Sequence, residues 1–304
     1  MFRFSKWQAL IFIAGLIFVL LAAGCGGSAG KALHPDGKTP VVAANAGAPL
    51  TVKVFDVGQG DSILIRTKEQ VALIDTGDVP AIDKLVSMLK SQGITTIDKL
   101  IITHPHADHI GGAAAVFDNF TVKEVYDSGQ KTTTNVYKQY LTQIQKRKIP
   151  FTVVTAGMTI DLGGEAVLKV LAPEQPFISG TESDLNNNSI VAKLVYHSFS
   201  LLLTGDAEQE AEDRMLKKDA AILKSTLLKS GHHGSRTSSS LPFLQAVSPE
   251  AALISVGVNN DYHHPHPSTL KKYKDKKITV YRTDTDGTLT VTSDGKTYAV
   301  TKER

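Results

Sequence analysis

The sequence predicts an α/β (α+β) fold in which two mixed β-sheets pack face to face, with helices on the outside. Three observations support this prediction. Short apolar runs with strand periodicity outnumber helical segments, the helical segments fall between groups of strands, and polar clusters follow several strand ends. The 304 residues, 42% of them hydrophobic, are enough for one large domain or two small ones.

The first 25 residues have the pattern of an export signal. Arg3 and Lys6 precede an uncharged apolar stretch that ends L-A-A-G-C at Cys25, the only cysteine, so no internal disulfide is possible. This ending resembles a bacterial lipoprotein box, in which the cysteine becomes the lipidated first residue. Here the leucine lies four positions before the cysteine, whereas the commonest box has it three before.

Three outcomes remain open for this N-terminus: a lipid-anchored exported protein facing outside, a secreted protein, and a protein that keeps an N-terminal anchor helix. All three place the body of the protein outside the cytoplasm, and we expect the first, with membrane contact through Cys25. Residues 26–49 are rich in Gly, Ala and Pro and are predicted to be a flexible tether. We expect the folded domain to span residues 50–304. The net charge is only +3, so the sequence does not have the large excess of basic residues that is typical of a strongly nucleic-acid-binding surface.

The folded part is predicted to open with strands in quick succession and then to alternate strands with helices. The predicted strands are residues 51–57, 62–66, 70–75, 99–103, 122–126, 151–155, 159–162, 166–171, 189–196, 199–203, 226–229, 251–255, 279–281, 288–291 and 298–301. A first helix is marked by apolar residues from Ile82 to Leu89 and ends at Gly93. Two more are predicted around residues 137–144 and 208–218, and residues 186–188 are predicted to be a loop.

The segment 103–112, T-H-P-H-A-D-H-I-G-G, carries the densest chemistry in the chain. It follows the apolar run 100–102 and offers His104, His106, Asp108 and His109 within six positions. Imidazole and carboxylate ligands without thiolate suit Zn, Mn or Fe. The alternative is a polar surface loop that happens to be rich in histidine.

Later strand ends supply residues that would complete a site for two divalent metal ions, Zn or Mn. His104 and His106 would hold one ion, and Asp108 and His109 the other. Asp206 would bridge the two, and His232 or His233 would close the second site. Two ions about 3.5–4 Å apart generate a hydroxide nucleophile and stabilise the transition state of a hydrolysis. Since alternate side chains of a strand point to opposite faces, we expect only one of the two adjacent histidines to be a direct ligand. The sequence leaves open which one; His232 is assigned to the metal and His233 to catalysis.

The pattern H-x-H-x-D-H after a strand, followed by a distant G-D and a strand-end histidine, resembles the metallo-β-lactamase superfamily. That resemblance implies an αββα four-layer sandwich. Asp75, in L-I-D-T-G, matches the superfamily's first motif, and its implied role is to orient the metal loop from behind the ligands. Further motifs resemble the hydrolase domain of ComEC-type competence proteins over roughly residues 50–295. They are V-G-Q-G-D-S at 57–62, N-S at 188–189, L-L-T-G-D at 202–206, H-H-G-S at 232–235, I-S-V-G at 254–257 and Y-H-H-P at 262–265.

The resemblance implies a hydrolase without the channel region of those proteins, acting on nucleic acid or another phosphodiester. The alternatives are hydrolysis of another small extracellular ester, such as a lactone or phosphocholine ester, and a non-catalytic surface receptor for DNA. No protein partner is inferred. The residues expected to take part in catalysis are Asp108, His233 and His264. Those expected to surround the ligands are Gln59, Asp61, Asp75 and Asn188.

One ligand of the wider superfamily has no counterpart here. Most members place a third histidine for the first metal between the His-rich loop and the bridging aspartate. The only histidine in that interval is His197, in a predicted hairpin turn, and asparagines 186–188 occupy the expected place. We therefore expect a weaker first site, with His104, His106 and Asp206 only, that either favours Mn over Zn or is filled only when substrate is present. His264 is expected to be a phosphate contact, a general acid or a substitute ligand; a plain loop histidine is the alternative.

Overall fold

A computed structural model describes residues 49–304 of the chain. The predicted signal, Cys25 and nearly all of the predicted tether lie outside the described residues, so those predictions stay predictions. No helix within the described range is both long and apolar enough to cross a membrane.

The first sheet has eight strands and contains both parallel and antiparallel pairs. Its strands are β1 (Leu50–Val54), β2 (Ile63–Arg66), β3 (Val71–Ile74), β4 (Thr96–Ile102), β5 (Thr121–Asp127), β6 (Phe151–Val153), β14 (Leu289–Ser293) and β15 (Tyr298–Lys302). They lie in the order β15-β14-β1-β2-β3-β4-β5-β6. Strands β3 to β6 are mutually parallel, whereas β15, β14, β1, β2 and β3 pair antiparallel.

The second sheet has seven strands and is also mixed. Its strands are β7 (Thr159–Asp161), β8 (Ala166–Ala172), β9 (Val191–Tyr196), β10 (Phe199–Leu203), β11 (Leu227–Lys229), β12 (Ala251–Ile254) and β13 (Thr279–Arg282). They lie in the order β13-β12-β11-β10-β9-β8-β7, with β10 to β13 parallel and the remaining pairs antiparallel.

Helices cover the outer face of each sheet. The described α-helices are α1 (Ile82–Ser91), α2 (Ala107–Ile110), α3 (Ala113–Asn119), α4 (Asn135–Arg147), α5 (Asp184–Asn187), α6 (Gln209–Asp219), α7 (Leu241–Val247), α8 (Pro267–Asp275) and α9 (Thr283–Asp286). Apolar side chains of α1, α3 and α4 pack on the first sheet, and those of α6, α7 and α8 pack on the second.

The strands alternate their apolar side chains between two cores, as the period of two requires. Ile63 and Ile65 of β2 enter the core between the sheets, while Leu64 between them packs against the helices. The result is four layers, helix, sheet, sheet and helix, and the predicted fold class is confirmed.

The structure differs from the sequence prediction mainly in its short helices. The segment predicted as a loop at 186–188 contains the last residues of the single-turn helix α5, which begins after the N-cap Ser183. Helices α3, α7 and α8 were not predicted. Each has nine residues or fewer, too few turns for helical periodicity to stand out from the flanking apolar strands.

The carboxyl ends of the parallel strands bring the polar segments to one rim. Strands β3 and β4 of the first sheet run into Asp75 and His104, and β10 and β11 of the second run into Asp206 and His233. Because neighbouring parallel strands end at the same edge, ligands from distant parts of the chain meet there.

Candidate metal centre

Asp75 fixes the start of the His-rich loop and one of its histidines. One carboxylate oxygen accepts hydrogen bonds from the Thr103 backbone N–H (2.8 Å), and the other from the Thr103 hydroxyl (2.7 Å) and from His109 Nδ1 (2.8 Å). Because Nδ1 of His109 is engaged by a carboxylate, its Nε2 is left to face the site, the usual arrangement of a metal-ligating histidine. Asp75 therefore lies behind His109, on the Nδ1 side of its ring.

Four predicted site residues converge on one point. Ligand atoms of Asp108, His109, Asp206 and His233 all lie within 4.8 Å of one another. His109 Nε2 is 3.2 Å from Asp206 Oδ2, and His233 Nε2 is 3.2 Å from Asp108 Oδ2 and 3.4 Å from Asp206 Oδ2. The structure thus joins three separate segments of the chain into one set of two imidazoles and two carboxylates.

Two atoms of this cluster test whether a metal ion fits. Within the described residues, His109 Nε2 and Asp206 Oδ1 are buried and have no hydrogen-bond partner. An unsatisfied buried polar atom is costly, and here two such atoms belong to ligand types that divalent ions prefer. The residues present therefore fit a divalent ion, and the donor set of nitrogen and oxygen is compatible with Zn, Mn or Fe.

The charges of the cluster support the same conclusion. Burial alone would raise the pKa of Asp206, but the imidazoles of His233 and His109 hold that pKa well below its usual range. Burial alone would lower the pKa of His109, yet the Asp206 and Asp108 carboxylates raise it well above its usual value. The carboxylates therefore stay ionised and stabilise positive charge at this point, as a bound divalent cation requires.

The remaining loop histidines approach Asp206 from another side. His104 Nε2 lies 3.0 Å from His106 Nδ1 and 3.9 Å from Asp206 Oδ2. Burial and the neighbouring His109 lower the pKa of His104 well below its usual value, so its imidazole is neutral. Asp206 thus lies between the other three residues of the cluster and a second pair of imidazoles.

His232 and His233 differ from the prediction in conformation and in placement. They lie in a tight turn, Gly231–Gly234, with φ angles of 46° and 52°, not in an alternating strand. His233 is buried, its Nδ1 is 3.0 Å from the Ser255 carbonyl oxygen, and its Nε2 joins the cluster. The His232 side chain is 24% exposed and its Nδ1 lies 3.0 Å from Glu208 Oε1. The geometry therefore favours His233 as the ligand and places His232 at the mouth, the reverse of the expected order.

Asp61 and the glycine turn before it support the cluster from behind. Asp61 Oδ1 lies 3.4 Å from His233 Nδ1, and Asp61 Oδ2 lies 2.9 Å from the Nζ of Lys229, a fully buried lysine. Burial alone would raise the pKa of Asp61, but Lys229 and His233 lower it to about 2. A Cβ on Gly60 would lie 2.3 Å from the Asp108 carbonyl oxygen, so only glycine allows this close approach.

A cleft of about 510 Å³ opens over the cluster. Its lining includes Gln59, His106, Asp108, Asn186, Asp206, His232, His233, Tyr262 and His264. The His264 ring lies 5.3 Å from that of His232, and burial together with His232 lowers the pKa of His264 to about 3. His264 is therefore a neutral imidazole on the cleft wall. The Gln59 side chain accepts a hydrogen bond from the Gly257 N–H (3.3 Å) and ties two cleft loops together.

The structure corrects one predicted position and adds three residues. The Asn188 side chain does not contact the cluster within the described structure, because it bonds the backbone of Ile178 and Asp184 instead. Glu208 and Lys229 were missed by sequence reasoning, and Asn186 was noted only as one of three asparagines at the place of the absent histidine. Lys229 is the last residue of the apolar strand β11, and a buried lysine requires an anionic partner. Its position could therefore have predicted a buried ion pair.

The pattern of the Metallo-beta-lactamase superfamily matches residues 55–258 of the chain, which include the whole four-residue cluster. The chain belongs to this superfamily. It is also similar to ComE operon protein 3 of Bacillus subtilis (strain 168), with 32% identity over 256 residues, which cover 78% of this chain and 32% of that protein. Competence protein ComA of Neisseria gonorrhoeae is 33% identical over 247 residues, which cover 78% of this chain and 31% of that protein.

The chain thus spans about a third of the length of these two curated relatives. Among solved structures, the metallo-beta-lactamase fold protein YhfI from Bacillus subtilis superposes with a TM-score of 0.54 at 13% identity. The match covers 79% of this chain and 99% of YhfI. At that identity the likeness shows the fold alone. The predicted resemblance to the superfamily and to competence proteins is confirmed.

Proposed function

We propose that this protein is an exported, lipid-anchored metallohydrolase that cleaves phosphodiesters, with nucleic acid as its substrate. The observation that carries the proposal is the cluster of half-buried Asp108 with buried His109, Asp206 and His233 beneath a wide cleft. In this cluster His109 Nε2 and Asp206 Oδ1 have no hydrogen-bond partner among the described residues. Its similarity to part of two competence proteins supports the choice of nucleic acid.

In this proposal the four-residue cluster holds one divalent ion, and His104, His106 and Asp206 hold a second. Bound divalent ions would supply an activated water and stabilise the negative charge of the transition state. Asp75 and the Ser255 carbonyl oxygen keep His109 and His233 in the orientation that presents Nε2 to the site.

The side chains at the mouth bind and orient the substrate. Glu208 holds His232 through Nδ1, so that Nε2 of His232 remains available in the cleft, 3.9 Å from Asp206 Oδ2. From that position His232 can donate a hydrogen bond to a phosphate oxygen. His264, a neutral imidazole whose ring lies 5.3 Å from that of His232, offers a second hydrogen-bonding group to the same phosphate.

The substrate class is tested with full-length protein that has been stripped of metal and reloaded with Mn²⁺ or Zn²⁺. We expect metal-dependent cleavage of a single-stranded oligonucleotide and of bis-p-nitrophenyl phosphate. That cleavage should be lost in Asp206→Asn and kept in the control Asp275→Asn, an exposed carboxylate of α8. Turnover of a lactone alone would overturn the phosphodiester assignment. Retention of DNA without turnover of any substrate would favour a receptor.

Export and anchoring are tested separately through Cys25. Expression with labelled palmitate should label the protein and place it in the membrane fraction, facing outside. A Cys25→Ser variant should lose the label and the membrane retention, whereas Ser28→Ala should keep both. Equal membrane retention of Cys25→Ser would contradict the lipid anchor and favour a retained N-terminal helix.

A further inference from the structure

Three consecutive asparagines, Asn186, Asn187 and Asn188, are buried next to the cleft, and only one has a free side-chain oxygen. The oxygen of Asn187 accepts a hydrogen bond from the Ala211 N–H (3.2 Å), and that of Asn188 accepts one from the Ile178 N–H (2.9 Å). Within residues 49–304, Asn186 Oδ1 has no hydrogen-bond partner although the residue is only 3% exposed. Two of the three amides therefore stabilise the fold, and the third holds an unused acceptor.

Glu208 fixes the orientation of the Asn186 amide. Asn186 Nδ2 donates to Glu208 Oε1 (3.2 Å), which also accepts from Thr237 Oγ1 (3.2 Å) and faces His232 Nδ1 (3.0 Å). Rotating the amide by 180° would place its oxygen against the Glu208 carboxylate, where two acceptors repel each other. The amide oxygen must therefore point away from Glu208.

Asn186 is also one of the residues that line the cleft, together with His106, Asp206 and His232. The turn that carries Asn186 is also fixed to both metal-binding segments. Ser189 N–H donates to the Asn186 carbonyl (2.9 Å), Ser189 Oγ accepts from Asp206 N–H (3.3 Å), and Ile190 N–H donates to the Thr103 carbonyl (2.9 Å). Asn186 is therefore held rigidly between the His-rich loop and Asp206.

We propose that Asn186 is a metal ligand, and that its Oδ1 completes the site formed by His104, His106 and Asp206. This ligand set has two imidazoles and two oxygens, which makes it harder than a site with three imidazoles. Harder oxygen ligands suit Mn²⁺ better, whereas imidazole favours Zn²⁺. The inference concerns ion binding alone, so it stands whether or not the substrate is a phosphodiester.

The test is a titration of metal-free, full-length protein with Mn²⁺. Binding is measured by calorimetry and by the electron paramagnetic resonance signal of free Mn²⁺. Wild type should bind two equivalents. Asn186→Ala should keep one equivalent unchanged and weaken the other by at least about tenfold, the lower range for loss of a residue around a metal. The matched control, Asn187→Ala, loses instead the hydrogen bond that the Asn187 side chain accepts from the Ala211 N–H. Its midpoint of thermal unfolding should fall, while it still binds both equivalents of Mn²⁺.

A second variant protects the test against a loss of folding. Asn186→His returns an imidazole to the site and should shift the preference of the weaker equivalent from Mn²⁺ towards Zn²⁺. Circular dichroism of the metal-free variants checks that they are folded. Unchanged affinity for both equivalents in Asn186→Ala, equal weakening in Asn186→Ala and Asn187→Ala, or a single equivalent in wild type would each overturn the proposal.

Discussion

His109 Nδ1 lies 2.8 Å from Asp75 Oδ2, and neither side chain is exposed to solvent. The contact joins the end of β3 to the helical turn α2, two segments that also exchange backbone hydrogen bonds, from Thr76 N–H to the His109 carbonyl (2.7 Å). It fixes the His109 tautomer, so that Nε2 remains the only nitrogen free for a metal. The position of one ligand is thus set by a residue that does not itself reach the ion.

The first prediction follows from this contact. Asp75→Asn leaves the volume unchanged but replaces a carboxylate oxygen that accepts from His109, so the imidazole is less well oriented. We expect metal affinity and turnover to fall by about 10–100-fold, as for other residues behind a metal-ligating histidine. Metal competition titrations against a fluorescent chelator measure the affinity. The control Asp275→Asn should match wild type, and an Asp75→Asn variant with wild-type affinity would exclude the proposed role.

The second prediction concerns the asymmetry between the two halves of the site. His233→Ala removes a buried member of the four-residue cluster, whereas His106→Ala removes one of the two imidazoles on the other side of Asp206. We expect His233→Ala to empty the tighter site and abolish turnover, as His109→Ala and Asp108→Ala should. His106→Ala should lose mainly the looser ion.

Metal content after dialysis, measured by inductively coupled plasma mass spectrometry, checks the second prediction. His232→Ala is the matched control, because His232 adjoins His233 in sequence but lies at the mouth of the cleft. It should keep the tighter ion and lose turnover only in part. Equal metal loss in His232→Ala, His233→Ala and His106→Ala would contradict the asymmetry.

The sequence was sufficient where the signal is local. A buried run followed by imidazoles and carboxylates identified the His-rich loop, because strand end and ligands are adjacent in the chain. The fold class followed from the rhythm of strands and helices for the same reason. These features depend on residues within about ten positions of each other. Asp75 was identified through the resemblance of its L-I-D-T-G motif to the superfamily.

The order of His232 and His233 was not accessible in this way. Their left-handed turn is set by distant groups, since the His232 N–H donates to the Gly205 carbonyl (3.2 Å) and His233 Nδ1 faces the Ser255 carbonyl. The ion pair of Lys229 with Asp61 joins residues that are far apart in the sequence. Sequence periodicity does not report such long-range contacts. The prediction that His232 and His233 alternate as strand side chains was therefore wrong.

The third prediction concerns the buried ion pair of Lys229 and Asp61. Both side chains are at most 2% exposed, so removing one partner leaves an uncompensated charge. Lys229→Met should lower the free energy of unfolding of the metal-free protein by about 3–5 kcal/mol, measured by urea denaturation. The double variant Lys229→Met/Asp61→Asn removes the stranded charge and should recover part of that loss. A single variant as stable as wild type would argue against a buried ionic pair.

The fourth prediction uses Asp127, a buried carboxylate at the end of β5 and outside the proposed ligand set. Tyr140 O–H donates to one of its oxygens (3.0 Å) and Gly129 N–H to the other (2.6 Å). Burial nevertheless raises the pKa of Asp127 to about 6, against about 3.9 in an unfolded chain. A pKa raised on folding means that the folded state favours the protonated carboxyl. The stability it contributes is therefore full below about pH 4 and is lost as the pH rises through about 6.

Asp127→Asn removes this titration while keeping a similar shape. Between pH 5 and pH 7.5 the unfolding free energy of wild type, measured relative to the variant, should fall by about 1–1.5 kcal/mol. Urea denaturation of metal-free protein at several pH values measures this difference. Asp98→Asn is the control. Burial alone would raise the pKa of Asp98, but Lys123 and the Val71 N–H lower it, so its contribution is lost only at more acid pH and the corresponding difference should stay flat. A flat difference for Asp127→Asn as well would mean that Asp127 is already ionised throughout this range in the folded protein.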